Sequence, residues 1–110
     1  MNKKRTYSRY STTAMALLGK SIRLRRMERK FTAQDLADRA GISRGTLNKI
    51  ENGDMRCEIG VVFELAALLG IKLFDSDENT LAMTVDRFDD KIALLPKSVR
   101  TGKKIVKDDF

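Results

Sequence analysis

The sequence predicts an all-α protein of five helices with a basic tail at each end. Three observations carry that prediction. Only one proline occurs in 110 residues, so little in the chain interrupts helices. Apolar residues recur at helical spacing through the centre of the chain. Capping residues and glycines bracket the periodic stretches.

Residues 1–13, "MNKKRTYSRYSTT", are polar and basic without apolar periodicity, and are expected to form a flexible tail. A first helix is expected from about residue 13 to 30. Leu18, Ile22 and Arg26 share one face, and Leu17, Leu24, Met27 and Phe31 trace a second stripe, which implies two packing neighbours. Thr32 with Asp35 reads as a capping box opening a second helix of about eight residues, ending near Ala40. Gly41 permits the positive φ of a tight turn. Ser43 caps a third helix, which runs to about Asn52 before "NGD" stops it. A fourth helix spans 58–69, burying Val62, Phe63, Ala66 and Leu69, with Gly70 as its stop. Beyond it Leu81, Val85, Phe88, Ile92 and Leu95 recur at alternating intervals of four and three, one stripe of a fifth helix over 77–94 that Pro96 ends. Residues 96–110 read as an irregular basic tail. The domain plan is therefore a tail (1–13), a compact domain (14–74), a fifth helix for packing or dimerisation (75–95) and a second tail.

Charge is unevenly distributed. The net formal charge is +7. Residues 1–31 hold ten basic groups and one acid, 32–74 five and six, 75–95 two and six, and 96–110 five and two. A basic front, an acidic helix and a basic tail imply more than one kind of surface, and the basic excess favours a polyanion as partner. Histidine is absent, so there is no Ser–His or Cys–His nucleophile pair and no imidazole ligand. Cys57 is the single cysteine, which excludes an intrachain disulfide and a thiolate zinc site and fits a reducing compartment. It reads as a partly buried, inert thiol. No secretory signal or long apolar run appears, so a cytoplasmic, nucleoid-associated protein is expected. Neither an enzyme nor a single-strand RNA binder is favoured: no phosphate loop is present, and no tryptophan supplies a stacking platform. No cofactor, metal or membrane partner is expected.

The second and third helices together read as a helix-turn-helix. Ala37 is small enough for two short helices to cross closely, Gly41 makes the turn, and Leu36, Ile42, Leu47 and Ile50 bury the inner side. The outer side of the third helix is polar and basic, as reading a DNA major groove requires. The run "IRLRRMERKFTAQDLADRAGISRGTLNKIENG" resembles the Xre (Cro/C1-type, lambda-repressor-like) helix-turn-helix family over residues 18–71. It shares an arginine in the first helix, Leu-Ala, Gly-Ile-Ser and an Ile-Glu-Asn-Gly ending.

That resemblance implies roles for individual residues. Arg44, Gly45, Thr46, Asn48 and Lys49 fall at base-reading positions. Arg44 is expected at base edges, Lys49 at a second guanine or a phosphate, and Asn48 either reads adenine or is solvated. Gln34, Ser43 and Asn52, with main-chain N–H groups near Asn52, are expected at phosphates. Arg26 and Glu51 match a family ion pair that holds the recognition helix on its scaffold. Two positions depart from the pattern. Ala33 stands where the family usually has a phosphate-touching glutamine, and Gly45 where it often has a reading side chain. The tail with Lys3, Lys4, Arg5 and Arg9 is either a DNA-embracing arm or solvated charge.

A short recognition helix reads few base pairs, so the family resemblance implies a homodimer on a palindromic double-stranded operator. Leu81, Val85, Phe88 and Ile92 are the expected dimer or partner surface, either packing within the chain or pairing with a twin. In size and layout the chain also resembles, more loosely, HipB-like antitoxins, which pair with a kinase-type (HipA-like) toxin and repress their own operon. A stand-alone or phage-derived regulator is the alternative.

Overall fold

The computed structural model describes residues 5–74 and 77–97. Lys3, Lys4 and the expected tail from 98 onward lie outside the described residues. Within them the chain is all-α: α1 (Arg9–Glu28), α2 (Ala33–Ala40), α3 (Arg44–Glu51), α4 (Ile59–Leu69) and α5 (Glu78–Ala93). None of these helices is long and apolar enough to cross a membrane. The chain divides into two units, with the boundary between Leu73 and Phe74.

In the first unit α1 starts about one turn earlier than the apolar pattern indicated, at Arg9 instead of Thr13. The reason is local. The Ser8 hydroxyl accepts the Ser11 N–H at 3.1 Å, satisfying a first-turn donor before any apolar residue appears. At its other end the Lys30 N–H donates to the Met27 carbonyl and the Phe31 N–H to the Arg26 carbonyl, both at 3.0 Å. These two bonds close α1 in a Schellman motif, with Lys30 in the left-handed region at φ 62°.

Thr32 and Asp35 form the capping box at the start of α2, with bonds of 3.0 and 3.2 Å. Gly41 takes φ 70° at its end and turns the chain into α3. The Ser43 hydroxyl then caps α3 by accepting the Thr46 N–H at 3.0 Å. α3 packs on α2 and α1, and α4 packs on both α1 and α2.

The core is one cluster: Ile22 of α1, Leu36 and Ala37 of α2, Leu47 and Ile50 of α3, and Val62, Leu65 and Leu69 of α4. Each fully buried Leu or Ile contributes about 1.5–3 kcal/mol. In α4 the buried residues are Val62, Leu65, Ala66 and Leu69, while Phe63 is 39% exposed. Phe63 lies about 100° around the helix from Val62, off the centre of the buried face, whereas Leu65 completes it. The second stripe is covered only at its end: Leu17, Leu24 and Met27 are more than half exposed, while Phe31, just beyond α1, packs against the core. What α1 buries instead is Gly19 beside Ile22. Ile22 faces the centre of the bundle, and Gly19, one turn before it, faces the backbone of α3.

The second unit contains α5. Asp77 caps it, its carboxylate accepting the Thr80 N–H at 2.8 Å. No residue of α5 is buried, and Val85, Phe88 and Ile92 are each about 60% exposed.

Candidate nucleic-acid interface

α3 presents two sharply different faces. Leu47, Ile50 and Glu51 are buried, and Arg44, Gly45, Thr46, Asn48 and Lys49 are all exposed. The sequence reading therefore places its five base-reading candidates on one solvent-facing surface. That surface is held rigidly from behind. Arg26 Nε donates to Glu51 Oε2 at 2.7 Å and its Nη2 to Oε1 at 3.1 Å, a bidentate pair whose side chains are 12% and 5% exposed. The remaining Nη1 donates to the Phe31 carbonyl at 3.1 Å. One guanidinium thus ties the end of α3 to α1 and to the α1–α2 connection. Bidentate geometry fixes orientation as well as distance.

The phosphate candidates behave differently from one another. The Ser43 hydroxyl, besides capping α3, donates to Thr46 Oγ1 at 3.0 Å, so these two side chains position each other. Gln34 is exposed, but its amide donates to Asp38 Oδ1 at 2.8 Å along α2. Asn52 directs its side-chain amide to the Asn48 carbonyl at 2.9 Å. Three of the main-chain donors there are engaged within the helix end. The N–H groups of Asn52, Gly53 and Asp54 donate to the carbonyls of Asn48, Ile50 and Lys49, each at 3.0 Å, and close α3. These three donors are used in satisfying the terminal carbonyls of α3. Asn52 keeps one amide hydrogen for another acceptor.

Residues just after α3, to which the sequence assigns no part in binding, border this surface. Asp54 accepts the Arg56 N–H at 2.8 Å and its Nε at 3.3 Å. The backbone and side-chain bonds from Arg56 hold the Asp54 carboxyl below the usual carboxylate range. The Cys57 thiol donates to the Asp54 carbonyl at 2.8 Å, and burial pushes its pKa up. Ser43, Lys49, Arg56 and Cys57, with the carboxylates of Asp54 and Glu58, line a groove of about 480 Å³ along this side of α3. The only sequence signal for it was the polar "DMR" that follows the helix stop.

Residues 22–75 match the model of a family described as helix-turn-helix. No curated protein matches the chain. Among solved structures it is similar to an "MDT Protein" and to a HipA–HipB–O2–O3 complex. Each is 22% identical, with a TM-score of 0.49, covering 69% of this chain and 99% of that chain. A HipB–O2 20mer complex gives the same identity and score, with 70% of this chain and 99% of that one covered.

Proposed function

We propose, from the match of residues 22–75 to a helix-turn-helix family, that the protein is a dimeric, sequence-specific transcriptional repressor acting on DNA in the cytoplasm. The observation that carries the reading is the outer face of α3. It is polar and basic, wholly exposed, and locked to its scaffold by the Arg26–Glu51 pair. Such a face suits the major groove, where arginine recognises guanine O6 and N7 and asparagine recognises adenine N6 and N7. The chain works by binding, without chemistry. Phosphate contacts set the register, Arg44 and Lys49 read bases, and occupancy of the operator blocks transcription. Two copies place two recognition helices on half-sites about 34 Å apart.

Selection of bound duplexes from a random library tests this directly. A recovered palindrome with half-sites one turn apart, protected by two protein copies, is the expected result. Recovery of no preferred sequence would sink the specific-repressor reading.

The finer reading is an antitoxin that represses its own operon and holds a kinase-type toxin. It rests on chain layout: a DNA-binding unit followed by a second unit, whose acidic helix exposes Val85, Phe88 and Ile92. Affinity capture from the native host, comparing the full chain with a 1–95 truncation, separates this from a stand-alone regulator. Stoichiometric recovery of a kinase-like protein is the expected outcome. Operator DNA recovered without a protein partner would favour the stand-alone regulator.

A further inference from the structure

Beside the reading face lies a second hollow, of about 460 Å³, lined by Arg23 of α1, Ala33 at the start of α2, and Arg44, Gly45 and Asn48 of α3. Its floor is Leu47 and the Arg26–Glu51 pair. Three arginines against one glutamate leave the lining with an excess of two positive charges, and both oxygens of that glutamate are held by Arg26.

Arg23 and Arg44 differ from most arginines of this domain. Arg25 reaches the Leu69 carbonyl, Arg26 holds Glu51, Arg39 lies over the Phe31 ring and Arg56 holds Asp54. Among the described residues the Arg23 and Arg44 side chains have no hydrogen bond, ion pair or ring contact, and the Asn48 side-chain amide has none either. Three sets of unengaged donors therefore border one hollow.

Gly45 supplies an independent observation. It sits in the first turn of a helix, where glycine is less favourable than alanine. Its φ is not positive, and a side chain there would meet nothing closer than the Ser43 hydroxyl at 3.8 Å. Nothing inside the protein asks for glycine at this position. The backbone there is open to a bulky group from outside.

We propose that the hollow seats one phosphodiester of duplex DNA, held by Arg23 with Asn48 as a second donor and with the guanidinium edge of Arg44 that base reading leaves free. Ala33 and Gly45 are small so that the strand can enter. Arg23 thus joins the DNA-contacting residues, and the planar guanidinium forks suit a phosphate's paired oxygens. This inference deepens the DNA-binding reading and rests on it.

The test uses the full chain and a labelled mixed-sequence duplex of about 30 base pairs, titrated across roughly 50–200 mM KCl. Arg23→Ala should weaken binding and flatten the slope of log affinity against log salt by about 0.9, one phosphate contact. Arg23→Lys should retain the slope. Gly45→Leu, which the open space at residue 45 accommodates, should flatten it equally, and adding Arg23→Ala to it should change nothing further. Circular dichroism checks the fold of each variant. An unchanged slope in Arg23→Ala, or additive losses in the double variant, overturns the phosphate seat while DNA binding stands. Failure of the unmodified chain to bind any duplex overturns the DNA-binding reading, and the seat with it.

Discussion

Gly19 of α1 packs directly on the Ile50 carbonyl of α3: a methyl group built on Gly19 would lie 2.5 Å from that oxygen and 2.8 Å from the Glu51 oxygen. Both obstacles are backbone, which cannot swing aside as a side chain can. Gly19→Ala should therefore lower stability by about 1–3 kcal/mol despite alanine's better helix propensity. A urea unfolding midpoint equal to or above that of the parent would contradict this packing.

The Arg26–Glu51 pair is nearly sealed from water, so removing one member strands the other. Arg26→Ala should cost about 3–5 kcal/mol, and it also frees the Phe31 carbonyl. The double replacement Arg26→Met, Glu51→Leu should recover most of that loss. Thermal unfolding of the three variants decides it, and a double variant as unstable as Arg26→Ala would count against the pair being the cause.

Two left-handed positions close α1 and α2, one occupied by Lys30 and one by Gly41. A side chain with a Cβ is strained there. Lys30→Gly should raise stability by about 0.5–1 kcal/mol, after allowing for the more flexible unfolded chain. Gly41→Ala should lower it by about 1 kcal/mol, through the backbone alone, since nothing lies within 4 Å of the added methyl. Shifts of the same sign in both variants would refute the strain argument.

On the selected operator Arg44→Ala should cost about 1–3 kcal/mol and relax the preference at one base pair. Binding to operator and scrambled duplexes, measured side by side, gives the answer. Equal losses on both would make Arg44 purely a backbone contact.

Burial raises the Cys57 pKa, and its thiol donates to the Asp54 carbonyl, so little thiolate exists near neutral pH. Labelling by a disulfide reagent should be slower in the folded chain than in urea, and should accelerate as pH rises. Equal rates in both states would remove the protection argued here.

Local chemistry made much of this molecule legible in its sequence. Thr32, Asp35, Gly41 and Ser43 form the caps and turn their residue types suggested, because each bond spans only a few residues. The inner side of the motif followed from Leu36, Ala37, Leu47 and Ile50. What escaped were features set by a distant partner or by a polar cap. Gly19 has no periodic signature, since its role is defined by a carbonyl thirty-one positions away. Ser8 starts α1 where no apolar residue marks a helix. Leu17, Leu24 and Met27 have the right spacing, yet the first unit does not cover them. The N–H groups of Asn52, Gly53 and Asp54 are used in closing α3, which no residue type there signals.

Division of α3 into an anchored side and an unengaged side has a consequence for how such a protein changes over generations. The Arg44 and Asn48 side chains make no hydrogen bond, ion pair or ring contact among the described residues, so on the proposed reading their exchange should alter recognition while leaving the fold's energetics nearly untouched. The length of α3 has no such freedom, because one residue inserted within it would rotate the face that follows by about 100°. Target preference in this scaffold is open to drift by substitution and closed to drift by insertion.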